Sequence, residues 1–230
     1  HHIEIMTKCH SVDEALFYVD KTLENGWSRA VLMNFLDTQL YAAQGKAITN
    51  FSKYLPEPMS DLAQQTLKDP YNFDFLTMRE NYNERELEDA LTKNITRFLL
   101  ELGSGFAFVG RQVRLVINGN DFFIDLLFYH LKLRCYVVIE LKVTEFKPEY
   151  LGQLGFYVTA INKQMKRKED SPTIGLIICK TKDRIIAEYA LEGTNQPLGI
   201  SQYDLVKIMP DELKNTLPSI EEIENKLNEE

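Results

Sequence analysis

Two apolar runs of strand length, Phe122–Phe128 and Tyr136–Val143, leave a chain few options, because a segment this hydrophobic must be buried on both faces. Each run is interrupted by ionisable side chains: Asp125 in the first, Glu140 and Lys142 in the second. Placing a charge among Ile, Leu and Val is costly unless it is paired or holds a metal. Strand side chains alternate, so Glu140 and Lys142 share a face. If the runs pair as a hairpin turning at residues 131–134, Asp125 falls opposite Glu140, with β-carbons about 5 Å apart. Two carboxylates at that separation can share one divalent cation. Oxygen-only ligation, completed by the Leu141 carbonyl and water, suits Mg²⁺ or Mn²⁺. Lys142 beside them could orient an attacking water and offset charge developing on a phosphate. The bland alternative is a buried ion cluster or an exposed strand end.

The rest of the chain supplies the setting. Ser11 caps a helix to about Asn25, with Val12, Ala15, Leu16, Val19 and Leu23 as its apolar stripe and Gly26 as its stop. Ser28 caps a second helix to about Gln44, so residues 1–49 read as part of a small, truncated helical domain. Residues 50–83 carry Pro56, Pro58 and Pro70 but also many aromatics, and read as a connector packed against something. A helix over Glu84–Leu102 opens an α/β domain spanning 84–217, with strands at Phe106–Ile117, Phe122–Tyr129, Cys135–Val143 and Thr173–Lys180. Asn118-Gly119 is a tight hairpin signal, and Pro148 opens a helix to about Lys163. Ser219 with Glu222 forms a capping box for an acidic terminal helix over 218–230. The order helix–strand–strand–strand–helix–strand predicts an α/β fold with a mixed sheet core flanked by helices.

Net charge is −8, which argues against a nucleic-acid partner until it is divided along the chain. Residues 106–186 carry 13 Lys and Arg against 8 Asp and Glu, whereas residues 1–105 carry 10 against 16 and residues 187–230 carry 3 against 10. The basic third is the one that holds Asp125, Glu140 and Lys142, and local charge is the better guide to a phosphate-binding surface. Arg111, Arg114, Lys163, Lys166, Arg167, Lys168, Lys180, Lys182 and Arg184 are the candidate phosphate contacts. Cys135 and Cys179 lie in apolar runs and read as buried free thiols; with no Cys-x-x-Cys, a reducing cytoplasmic setting fits best. No apolar run approaches the roughly 20 residues that span a bilayer.

Two further candidates follow from helical spacing. Gln153 and Tyr157, at i and i+4, share a face of the helix after the Glu140 strand and could reach the site. Glu88 shares a face with Leu91, Ile95 and Leu99 and could turn inward as an outer metal ligand, with Glu86 as the fallback.

The segments Leu99–Phe106, Val109-Gly110-Arg111-Gln112, Ile124–His130 and Ile139-Glu140-Leu141-Lys142 together resemble the bacterial YhcG family of PD-(D/E)XK nucleases. The likeness runs from about Asp69 to Leu217 and extends upstream through Asn25–Arg29. It implies a restriction-endonuclease-like fold, Mg²⁺-dependent phosphodiester hydrolysis, and a preceding helical domain of DNA-binding character that could also join copies of the chain. It places metal binding on Asp125 and Glu140 and catalysis on Lys142, and the Gln153/Tyr157 pair resembles that of RecB-type nucleases. The customary Pro before the first Asp is replaced by Ile124. The reading is thus a metal-dependent deoxyribonuclease; the alternative is a nuclease-fold binding or assembly subunit that does not cut, which would not need all three residues.

Overall fold

The structure, a computed structural model, describes residues 1–205 and the backbone of 208–209. The predicted acidic helix over 218–230, with Ser219 and Glu222, lies outside the described residues.

The chain begins with four helices, α1 (His2–Lys8), α2 (Val12–Asn25), α3 (Arg29–Asp37) and α4 (Leu40–Ala43). Ser11 and Ser28 cap α2 and α3, accepting from the amides of Glu14 at 3.1 Å and Val31 at 3.3 Å, and Gly26 closes α2 in the left-handed conformation. Two expectations are corrected here. The second helix does not run to Gln44: it stops at Asp37, and Gln39, at φ 51°, restarts the chain as α4. The predicted stripe on α2 is also half wrong, because Val12, Leu16 and Leu23 are exposed while Ala15 and Val19 pack inward beside Tyr18. Tyr18 decides the rotation. Its ring is fully buried, and its hydroxyl donates to the Phe35 carbonyl at 3.0 Å and accepts the Tyr41 amide.

The connector is built into the fold. It contains β1 (Ile48–Thr49), α5 (Phe51–Tyr54), α6 (Met59–Thr66), β2 (Tyr71–Asn72) and β3 (Met78–Arg79), and it buries Phe51, Tyr71 and Phe73. The long helix predicted over Glu84–Leu102 is two helices, α7 (Glu84–Lys93) and α8 (Ile95–Leu102). Asn94 breaks it, its side chain donating to the Ala90 carbonyl at 3.0 Å and so competing with the helical ladder.

The remaining elements are β4 (Phe106–Ile117), β5 (Asn120–His130), β6 (Cys135–Glu145), α9 (Tyr150–Gln164), β7 (Ile174–Thr181), α10 (Arg184–Glu192), β8 (Leu198–Asp204) and β9 (Ile208–Met209). The main sheet has the order β1-β8-β7-β6-β5-β4, with β2 added alongside β8. Strands β4, β5 and β6 form an antiparallel meander, while β6, β7 and β8 run parallel through α9 and α10. Asn118 and Gly119 both take positive φ, as a two-residue turn between twisted strands requires.

One face of this sheet packs Leu126, Phe128, Ile139, Leu141, Leu176 and Ile178 against α7, α8 and the connector aromatics. The opposite face packs Leu127, Val138, Ile177 and Cys179 under α9 and α10. Each large apolar side chain so buried contributes about 1.5–3 kcal/mol. The fold is therefore the expected α/β mixed sheet flanked by helices, preceded by a helical region.

Candidate active site

Strands β5 and β6 are paired from His130 and Cys135 down to Leu126 and Ile139. One residue further, where Asp125 comes against Glu140, they part company: β5 continues against β4 alone and β6 against β7 alone. The two carboxylates thus stand at the fork of a sheet. The Asp125 amide lies 3.5 Å from Glu140 Oε1, and the Leu141 amide donates to Asp125 Oδ2 at 3.0 Å. Glu140 is 2% exposed, and Asp125 is half-buried. Lys142 Nζ lies 3.7 Å from Glu140 Oε2 and 5.3 Å from the Tyr150 ring centroid.

This arrangement is electrostatically undercompensated. Burial pushes the Glu140 carboxyl up to about 8, the Asp125 charge adds to the rise, and Lys142 opposes it only in part. Burial likewise raises Asp125 against the opposing Leu141 amide, and Glu84 adds further negative charge. Two carboxylates that repel each other in a low-dielectric fork are what a divalent cation would relieve. The donors are all oxygen, which fits Mg²⁺ or Mn²⁺. Among the described residues no group of three or more His, Cys, Asp or Glu side chains is gathered at metal-binding spacing, so a cation at the fork would have the Asp125–Glu140 pair as its side-chain ligands. Leu141, the third expected ligand through its carbonyl, lies between Glu140 and Lys142 with its amide held by Asp125.

The other expected residues divide into those the fold brings close and those it does not. Gln153 donates to the Tyr157 hydroxyl at 3.1 Å, and the Tyr157 hydroxyl feels the charges of Glu140, Asp125 and Lys142, so the α9 pair faces the fork. Glu88 does turn inward, but it is engaged: Arg111 binds one of its oxygens and Gln112 the other. Glu86 stands in the α7 capping box with Asn83 and pairs with Arg79.

Several candidate phosphate contacts are already paired within the protein. Arg111 binds Glu88 and Asp89, Arg114 binds Asp121 at 2.8 Å, Lys182 binds Asp69, and Arg184 binds Glu188. Lys180 lies 6.0 Å from the Tyr82 ring centroid. Lys163, Arg167 and Lys168 are exposed, and Lys166 donates to the Arg167 carbonyl. These four end α9 beside the β5–β6 turn, where Asp170 accepts the Tyr129 hydroxyl. Tyr129 is roughly 14 Å along β5 from Asp125, at about 3.4 Å per residue.

Two site residues escaped the sequence reading. Glu84 accepts the Val143 amide at 3.4 Å. Gln112, quoted only within the family stretch, donates to Asp125 Oδ1 at 3.3 Å as well as to Glu88. A signal for it existed: a two-residue turn at Asn118-Gly119 sets Ile117 against Asn120, and counting back five rungs sets Gln112 against Asp125.

Residues 64–218 match the family described as the YhcG PDDEXK nuclease domain. An Escherichia coli (strain K12) protein named "Putative nuclease YhcG" is 36% identical over 220 residues, covering 92% of this chain and 58% of that protein. The chain therefore spans less than two thirds of that relative's length. Among solved structures, a repair endonuclease from Pyrococcus abyssi is 18% identical with a TM-score of 0.36, over 56% of this chain and 50% of that one. The EndoMS–dsDNA2 complex is 17% identical with a TM-score of 0.37, over 55% and 45%.

Proposed function

Because the chain belongs to the YhcG PDDEXK nuclease family, we propose that it is a divalent-cation-dependent nuclease hydrolysing phosphodiester bonds in DNA. The observation that supports this most is the buried fork, where Asp125 and Glu140 stand side by side with Lys142 on the Glu140 face. A bound Mg²⁺ or Mn²⁺ would polarise the scissile phosphate and make an attacking water more acidic.

The protein's own groups then have distinct roles in this reading. Asp125 and Glu140 hold the cation, with the Leu141 carbonyl as a further donor and Glu88 behind them. Lys142 orients the attacking water and offsets the charge that builds on the phosphoryl oxygens, a contribution made mainly in the transition state. Gln153 and Tyr157, on the helix facing the fork, position the water or the phosphate. Exposed Lys163, Arg167, Lys168 and Lys180, with half-buried Lys166, track the backbone further out, and the net positive charge of residues 106–186 favours a polyanion. Arg111, Arg114 and Lys182 would reach phosphate only by sharing their carboxylate partners.

Incubating the purified protein with single-stranded, duplex and branched DNA tests the proposal. Cleavage in Mg²⁺ or Mn²⁺ and its loss in EDTA are the expected results. Tight binding with no cleavage under any of these conditions would favour the non-cutting subunit instead.

A further inference from the structure

Gln112 occupies a conformation that strands do not ordinarily allow. It lies in β4 just beyond a register shift between Phe108 and Gly110, and its φ is 46°, in the left-handed region. Only a few per cent of non-glycine residues adopt it, chiefly Asn, Asp and His. The Gln112 side chain is exposed, so burial of its own apolar surface does not account for the kink. Its effect is local. Consecutive strand residues normally point to opposite faces, yet Arg111 and Gln112 grip the two oxygens of one carboxylate, that of Glu88 on α7. The same Gln112 amide group also donates to Asp125 Oδ1.

We infer that Gln112 is a positioning residue, which ties the Asp125 carboxylate to the Arg111–Glu88 ion pair and so fixes its orientation toward Glu140. The inference rests on the proposed reading of the fork and extends it by one residue. Asp125 is held at both oxygens, by Gln112 on Oδ1 and by the Leu141 amide on Oδ2. With both oxygens held, the carboxylate plane is set before any ligand arrives. The choice of an amide is part of the device. An amide donates two hydrogen bonds without bringing a positive charge that would compete with a cation, while the Arg111 charge is paired with Glu88 and Asp89. Helix α7 is thereby coupled to the site although it contributes no reacting group of its own.

Two substitutions separate positioning from structural support. Gln112→Gly removes the donor and relieves the left-handed backbone, which offsets the lost hydrogen bond to Glu88, so its Tm should stay near that of the wild type. Gln112→Met keeps length and shape but cannot donate. In both, Mn²⁺ affinity by calorimetry should fall roughly 10–100-fold, the range typical of groups that orient metal ligands. The turnover number should fall while KM for DNA stays near its wild-type value. Wild-type Mn²⁺ affinity in Gln112→Gly would overturn the inference. If the wild-type protein itself binds no Mn²⁺, the metal reading of the fork fails, and the Leu141 amide resonance then tests the positioning alone. It shifts in both variants if Gln112 holds Asp125, and stays in place if it does not.

Discussion

Glu140 shows how a single side chain couples stability to chemistry. Its carboxyl is raised from the model-compound value of 4.5 to about 8, so the folded chain without metal takes up a proton that the unfolded chain releases. The stability tied to this proton is present in full below about pH 4.5 and is lost as the pH rises through about 8. Thermal melts of the metal-free protein should therefore show the wild type losing more stability between pH 5 and pH 8.5 than Glu140→Gln. Each kcal/mol recovered raises Tm by roughly 2–4 °C for a chain of this size. Identical pH profiles would show that Glu140 is not the strained group. Gln153 offers a contrasting test: it is exposed, so Gln153→Ala should lower cleavage and leave Tm nearly unchanged. An unfolded Gln153→Ala would make it a structural residue. Asp125, Glu140 and Lys142 were legible in the sequence because charges stand out in apolar strands. Gln112 was legible only as the position opposite Asp125, counted from the Asn118-Gly119 turn; its reach to Glu88 depends on a register shift and a left-handed backbone that polar residues in a strand do not announce. The ion pairs that occupy Arg111 and Lys182 were hidden for another reason: their carboxylate partners come from α7 and from the connector.

At the scale of elements, periodicity found the long strands and most helix ends, while a side-chain hydrogen bond at Asn94 and a left-handed backbone at Gln39 mark the breaks it missed. Asn94 ends α7, and Gln39 restarts the chain as α4 after α3 has stopped at Asp37, where apolar spacing would have continued each helix. The connector shows a different limit. Its aromatics signalled packing, but not that β1 and β2 join the main sheet through β8, because two-residue strands carry no readable alternation. Nor did composition reveal the buried pair of Lys68 and Glu101, 3.3 Å apart, which joins the connector to α8. Burial lowers the Lys68 pKa and raises that of Glu101, so each depends on the other to stay charged. Lys68 Nζ also sits 4.9 Å from the Phe35 ring centroid, which reaches the helical region. Denaturant unfolding of Lys68→Met should show a loss of about 3–5 kcal/mol, the usual result of leaving one buried charge unpaired. Adding Glu101→Leu should recover part of it, though not all, because Glu101 also accepts the Asn72 amide. A double variant no more stable than the single one would mean that the pair acts through packing rather than charge.

For the whole molecule, the division of charge separates the two tasks that the proposed function assigns to the same third of the chain. In that reading, ground-state attraction to DNA would fall to exposed Lys and Arg, and cutting to the fork. Lys166→Ala with Arg167→Ala should weaken DNA binding and make the slope of log affinity against log salt shallower by roughly 1–2, with cleavage still detectable at saturating DNA. The helical region at the N-terminal side exposes the apolar side chains Ile3, Met6, Val12, Leu16 and Leu23, which offer a phosphate no charge or hydrogen bond. No helix among the described residues is long and apolar enough to cross a membrane. The account as a whole stands or falls on Lys142, whose ammonium lies against Glu140 and not among the outer cations. The most direct measurement follows DNA affinity and single-turnover cleavage together, in Mg²⁺ or Mn²⁺ at saturating DNA, for the wild type and Lys142→Ala. The account predicts that the wild type cuts and that Lys142→Ala does not, with affinities within a few-fold of each other. A wild type that binds tightly without cutting, or a Lys142→Ala that cuts at the wild-type rate, would contradict it.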